Sequence, residues 1–243
     1  MERNIADSHL LLDAWVWFER NRKPVILGIV AVTAAALLAA TMAWSKKQKQ
    51  VAAGEALSQV LLAQMLSGGR AEAADSLLKV ANSHPGTSGG AQAQLLAGGA
   101  LFASGKYAEA QAQFEKFNRE YVGHTLTPQA KLGLAACLAA QGKSEEAARA
   151  YKDLADKYPN ANTASQARFA LASIYESQGR LEDALALFEQ VARAEMMNTT
   201  LGNEAGMRAE EIRAKLPPIP MPASVAPIPT TVTPSNAAPT STN

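Results

Sequence analysis

A six-residue pattern returns four times along the chain at a fixed interval of 37 residues. It reads Gly68-Gly-Arg-Ala-Glu-Ala73, Gly105-Lys-Tyr-Ala-Glu-Ala110, Gly142-Lys-Ser-Glu-Glu-Ala147 and Gly179-Arg-Leu-Glu-Asp-Ala184. Self-similarity at such a period means stacked supersecondary units, each sharing a core only with its neighbours. Arrays of this kind usually hold partners and rarely do chemistry.

The residues around the pattern predict two helices per unit. The glycine follows an apolar helical stretch and suits the left-handed turn that ends a helix. The acid (Glu72, Glu109, Glu146, Asp183) falls in the first turn of the next helix, where the helix dipole favours negative charge. The alanine (Ala73, Ala110, Ala147, Ala184) is small enough for two helices to cross closely. Beyond it, Leu77, Phe114, Tyr151 and Phe188 align, as do Val80, Phe117, Leu154 and Val191, forming the apolar face of the second helix. Before the glycine, Val60, Ala97, Leu134 and Leu171 align, with Leu61, Gly98, Ala135 and Ala172 beside them. Pro85 and Pro159 mark the ends of two second helices.

This spacing of small, aromatic, glycine and acid-alanine positions, with Tyr-Pro at one unit's end, resembles the tetratricopeptide repeat (TPR). That repeat is usually about 34 residues long, so each unit here carries about three more in the turn between repeats. The resemblance implies an all-α solenoid of about four helix pairs, at 51–87, 88–124, 125–161 and 162–198. Segment 199–216 reads as a capping helix with Glu204, Arg208, Glu210, Glu211 and Arg213 on its outer side.

The chain before the repeats has a different character. Residues 24–44, from Pro24 to Trp44, form an uncharged, largely apolar run. As a helix it is about 31 Å long, the thickness of a bilayer's hydrocarbon core. Trp15, Trp17 and Phe18 flank it on one side and Trp44 on the other, as interfacial anchors do. A transmembrane helix is expected. A cleaved signal peptide fits less well, because the run is long and Lys46, Lys47 and Lys49 follow it at once. Arg3, Arg20, Arg22 and Lys23 precede the span and tilt the charge balance slightly towards a cytoplasmic N-terminus. That orientation places the repeats in the periplasm. Residues 1–23 form a cytoplasmic segment, with 8–20 expected as a short amphipathic helix at the membrane surface. The stretch 217–243 has eight prolines and no charged residue and is expected to be a disordered tail, either a spacer or an end without a role.

The sequence nominates no catalytic, cofactor or metal residue, and the expectation is no enzyme and no cofactor. His84 aligns with Tyr121 and Tyr158 at a helix end, His124 falls in a turn, and His9 precedes the span. No Cys/His pair has ligand spacing. Cys137, the single cysteine, aligns with Ala100 and Ile174 and reads as a small core residue. The Gly86–Gly90 stretch joins two helices and follows no strand, which makes it a poor phosphate loop. A net charge of +1 gives no argument for nucleic acid.

The remaining candidate surface is the groove that TPR geometry, carried onto this chain, lines with first-helix residues. In the first unit these are Glu55, Ser58, Leu62 and Met65. In the others, the candidate partner-binding residues are Gln92, Leu95, Phe102, Gln129, Leu132, Gln166, Phe169 and Glu176, with the small residues Gly99, Ala136 and Ser173 between them. Three glutamines form a ladder one unit apart, beside a Leu95–Leu132–Phe169 stripe. Amides can pair with an extended backbone, and an apolar stripe can take side chains or an amphipathic helix. The same stripe could instead pack against its own second helices or the capping helix.

The order of parts is a short aromatic segment, Asn21-Arg-Lys-Pro24, one span, a basic exit and an Ala-rich repeat domain. That layout resembles the bacterial family that includes the ancillary subunit of the SecYEG translocon. The resemblance implies a single-pass inner-membrane protein whose periplasmic TPR domain acts as an adaptor in protein export. It implies as partners the SecYEG translocon and a membrane-anchored periplasmic chaperone. The alternative is a TPR scaffold of another envelope machine, in outer-membrane assembly, a pilus or cell division. The sequence leaves the oligomeric state open.

Overall fold

The computed structural model describes residues 15–67, 71–160, 162–195 and 199–217. The start of the amphipathic segment, Gly68 to Arg70 of the first signature, and the tail beyond Pro217 lie outside the described residues. Within them the chain forms helices and no strand. They are α1 (Arg22–Ser67), α2 (Ala71–Ser83), α3 (Ser88–Ala103), α4 (Tyr107–Glu120), α5 (Thr127–Ala140), α6 (Ser144–Lys157), α7 (Asn162–Ser177), α8 (Leu181–Ala194) and α9 (Thr200–Lys215). Residues 15–20 are also helical and lead through Asn21 into α1.

The signature glycines end first helices by one repeated device. Gly105, Gly142 and Gly179 have φ of 75°, 78° and 74°, a backbone that only glycine adopts without strain. Their N–H groups donate to the carbonyls of Phe102, Ala139 and Glu176 at 3.0, 2.9 and 3.0 Å. The next N–H groups, of Lys106, Lys143 and Arg180, donate to Leu101, Leu138 and Tyr175 at 2.9, 3.0 and 2.9 Å. This double bond pattern satisfies carbonyls that a helix end leaves unpaired. The second helix starts directly afterwards with its acid in the first turn: Glu109, Glu146 and Asp183.

The core follows the aligned positions. Ala110, Ala147 and Ala184 are fully buried, and so are Phe117, Leu154, Phe188 and Val191. Phe114 is wedged between two helices that make room with glycine. A Cβ on Gly98 of α3 would lie 2.7 Å from the Phe114 ring, and one on Gly133 of α5 would also collide with it. Burying such a ring contributes roughly 1.5–3 kcal/mol, provided that both neighbours stay this close. Each second helix packs on its own first helix and on the next one, giving an α-solenoid. The first helices of neighbouring units also touch, α3 with α5 and α5 with α7, more closely than the second helices do. The array therefore curves with its first helices on the inner, concave side.

The apolar span and the first repeat are one helix. α1 has 46 residues, about 69 Å at 1.5 Å per residue. The Ser45–Gln50 segment at the exit has neither proline nor glycine to break it. The side chains from Ile26 to Trp44 are exposed, including Leu27 (69%) and Val32 (70%), and the helix is long and apolar enough to cross a membrane. Its hydroxyls are already satisfied: Thr33 and Thr41 Oγ1 donate to the carbonyls of Val30 and Leu38 at 3.0 and 2.9 Å, as an apolar surrounding would require.

Two contacts lock α1 to α3. Gln50 Oε1 accepts the Ser88 N–H at 2.8 Å, which satisfies one orphan donor at the start of α3. Gly89 lies directly on Ala53, and a Cβ there would come within 2.7 Å of the Ala53 backbone carbon. A backbone cannot swing aside as a flexible side chain does, so Gly89→Val should cost about 1–3 kcal/mol as overpacking. Gly54, where a Cβ would meet nothing within 4 Å, is the control: Gly54→Ala should gain about 1 kcal/mol from helix propensity alone. Thermal unfolding of the full chain in detergent, followed by circular dichroism, should lower Tm for the first variant and hold or raise it for the second.

Candidate functional site: the concave face of the first helices

The candidate residues fall into three kinds of environment. Gln92, Gln129 and Gln166 are exposed on α3, α5 and α7, one per unit. Leu95, Leu132 and Phe169 are half-buried and pack against the cores of successive units. Phe169 stands edge-on to Phe188 with ring centroids 5.2 Å apart, and Phe102 leans on Tyr107 at 5.2 Å. Each member of the stripe thus gives one side to its own unit and leaves the other open. Glu176 pairs with Arg208 of α9, Nη1 to Oε2 at 3.4 Å.

Charge separates the two surfaces of the solenoid. α3 has no charged residue, α5 has only Lys131, and α7 has Arg168 and Glu176. The acids and bases gather on the second helices; α6 alone carries Glu145, Glu146, Arg149, Lys152, Asp153, Asp156 and Lys157. Lys131 turns towards that side and meets Asp153 at 3.9 Å. At the end nearest the apolar span, the inner face becomes greasy: Leu62, Met65 and Leu66 are 59%, 84% and 81% exposed. The groove therefore runs from an aliphatic end on α1, through an uncharged amide-lined middle, to the Glu176–Arg208 pair.

Several structural roles escaped the sequence pattern. Gln94, two residues from Gln92, is 1% exposed, and its Nε2 donates to Gln113 Oε1 at 2.8 Å, clamping α3 to α4. Only its place on the opposite helical face distinguishes it from the ladder. Arg208 and Arg213, expected to point outward, reach back instead to Glu176 on α7 and Glu189 on α8. Their long side chains bridge helices, and Arg213 holds Glu210 as well. His124 closes a turn: its Nδ1 accepts the Leu126 N–H at 3.1 Å, and its ring stands edge-on to Phe117 at 5.8 Å.

Among the described residues, no group of three or more His, Cys, Asp or Glu side chains converges. Cys137 is fully buried, and burial pushes its thiol up from 9.0 to about 11. Burial, and secondarily the charge of Cys137, pushes the Tyr151 phenol up to about 12. Below pH 9 both the folded and unfolded chains hold the Cys137 proton. Between about 9 and 11 the unfolded chain loses it first, so stability falls with rising pH across that window. A maleimide should accordingly leave Cys137 untouched at pH 7.5 and modify it on denaturation. In urea titrations at pH 8 and 10.5, Cys137→Ala should flatten part of the loss seen in the parent chain.

The sequence was compared with known proteins. The model of the tetratricopeptide repeat-like domain matches residues 16–152, and a tetratricopeptide repeat model matches residues 167–199. No curated protein matches. A solved tetratricopeptide repeat protein from Parabacteroides merdae ATCC 43184 is similar at 16% identity, with 67% of this chain and 60% of that one covered and a TM-score of 0.53. PcrH from Pseudomonas aeruginosa matches at 23% identity over 51% of this chain and 91% of its own, with a TM-score of 0.45. A MamA fragment from Desulfovibrio magneticus RS-1 matches at 14% identity over 67% and 94%, with a TM-score of 0.49. With the larger family model spanning more than half of the sequence and helix pairs repeating as that model requires, this chain belongs to the tetratricopeptide repeat-like domain family.

Proposed function

We propose that the protein is a membrane-anchored adaptor that binds other proteins on the concave face of its repeats and works in export or assembly at the bacterial envelope. The observation that carries this reading is the uncharged inner face: Gln92, Gln129 and Gln166 stand exposed at one-unit intervals beside half-open Leu95, Leu132 and Phe169. An extended polypeptide can pair its backbone with such amides and set alternate apolar side chains on the stripe. The anchor is α1, with α2–α9 projecting into the periplasm and the N-terminus in the cytoplasm, a placement supported by the basic residues ahead of the span. The role is non-enzymatic, as is general for scaffolds built on this repeat. Resemblance in layout to the ancillary translocon subunit supports SecYEG and a membrane-anchored periplasmic chaperone as partners.

A benzophenone photo-crosslinker placed at Gln129, and separately at exposed Arg149 on the charged outer side, tests the reading in native membranes. Gln129 should yield adducts containing translocon subunits or polypeptides in transit, at least fivefold above Arg149. Adducts with divisome or pilus proteins alone would move the protein to the alternative envelope scaffold. Equal labelling at both positions would remove the concave face as the binding site. For topology, a cysteine introduced at Asn236 should react with a membrane-impermeant maleimide once the outer membrane is opened. Reaction only after the inner membrane is permeabilised would overturn the periplasmic placement.

A further inference from the structure

One position of the repeat ties each first helix to the second helix of its own unit, and in the fourth unit that tie is missing. In the second unit the position holds Gln94, whose Nε2 donates to Gln113 Oε1 of α4 at 2.8 Å. In the third it holds Lys131, whose Nζ lies 3.9 Å from Asp153 Oδ2 of α6. In the fourth it holds Arg168, half-buried on α7. The partner has changed: one period beyond Asp153 stands Gln190, and two periods beyond Gln113 stands Leu187. Among the described residues, no carboxylate pairs with Arg168. Arg168 instead lines an open groove of about 370 Å³ on the outer face between α6 and α8, with Ala186, Leu187 and Gln190 of α8 beside it. The two acids that line the same groove are taken, Asp156 by Lys152 at 2.8 Å and Asp183 by Arg180 at 2.6 Å. Arg180 also lies over the ring of Tyr175, 3.8 Å from its centroid, which brings a second guanidinium to the groove's edge.

We propose that this groove is a docking slot for an acidic side chain, Glu or Asp, carried next to an aliphatic residue on a partner polypeptide. A guanidinium partly removed from water and left without an anion gains more from an incoming carboxylate than a fully solvated one does, and its planar fork can hold both oxygens. The carboxylate takes the place that Asp153 fills one unit earlier. Ala186 and Leu187, next to Arg168 in the lining, give the flanking aliphatic residue an apolar wall. A single negative charge suits the slot, because Asp156 and Asp183 repel a dianionic phosphate about twice as strongly as a carboxylate. The slot lies on the outer face and is independent of what the concave face binds.

The test uses the full chain in nanodiscs of zwitterionic lipid, titrated calorimetrically with the end-blocked peptide Ala-Leu-Glu-Leu-Ala and with its counterpart carrying Gln in place of Glu. The parent chain should bind the Glu peptide about tenfold more tightly, the ratio expected of one charge-assisted hydrogen-bonded pair. Arg168→Gln should erase that ratio. So should Gln190→Asp, which supplies a carboxylate from within the chain one period beyond Asp153. Because Gln190 is exposed, this second variant keeps the fold even if the first does not, and its Tm should hold or rise. Equal affinity of the parent chain for the two peptides would overturn the proposal, and so would a ratio that persists in Gln190→Asp. Equally tight binding of Ala-Gly-Glu-Gly-Ala would overturn it too, since the groove would then read a free anion and not a polypeptide segment.

Discussion

Close approach of helices at residues with little or no side chain is the constraint on which the rest of this structure rests. A two-helix unit with a single apolar face cannot stand alone, so every unit must sit tightly on the next. Here the fit is made by buried Ala110, Ala147 and Ala184 between paired helices. It is also made by Gly98 and Gly133 on either side of the Phe114 ring, and by Gly89 against the backbone of Ala53. Large side chains fill the space that these small ones leave, and none of the three contacts has slack for another methyl group. The Schellman-type turns at Gly105, Gly142 and Gly179 set the angle at which each pair meets. With contact and angle fixed, the inner face and its one-unit spacing follow.

The same constraint joins the array to its apolar helix. Because the Gly89–Ala53 contact and the Gln50–Ser88 bond act on α1 itself, the repeats begin within the helix that carries the apolar stretch and not after a linker. A solenoid joined in this way moves with its helix. The inner face then sits at a set distance from the apolar segment, with Leu62, Met65 and Leu66 at its near end. Under the proposed function, such an arrangement would hold the docking surface at a fixed height above a bilayer. A flexible tether would instead spread the groove over a large volume and lower its effective concentration at the membrane.

What was legible in the sequence was local or periodic. The left-handed glycines, the acids at second-helix starts and the buried alanine and aromatic positions each depend on neighbours a few residues away, and 37-residue alignment amplifies them. What was not legible depended on approach between distant segments. Gly133 looks like an ordinary weak point in α5 until the ring of Phe114 is seen against it. The change from apolar to basic residues at Trp44–Lys46 suggests a boundary, yet hydropathy reports surroundings and not backbone continuity, and α1 passes through unbroken. Two charges of the last helix expected on its outer side, Arg208 and Arg213, also bridge to other helices, for a related reason. A long arginine on a helix flank can reach another helix, as Arg208 and Arg213 do. For the inner face, the resemblance to the tetratricopeptide repeat supplied Leu95, Leu132 and Phe169, but could not divide packing from exposure because each side chain is half-buried against a core cluster.

Hydrogen exchange of the full chain in nanodiscs, read by mass spectrometry over the peptide 44–57, measures the central claim most directly. If the apolar helix and the first repeat are a single rod locked by Gly89 and Gln50, amides from Ser45 to Gln50 will exchange as slowly as those from Val51 to Leu57, in one cooperative unit. Rapid exchange confined to Ser45–Gln50, with protection resuming at Val51, would show a hinge there and contradict the account.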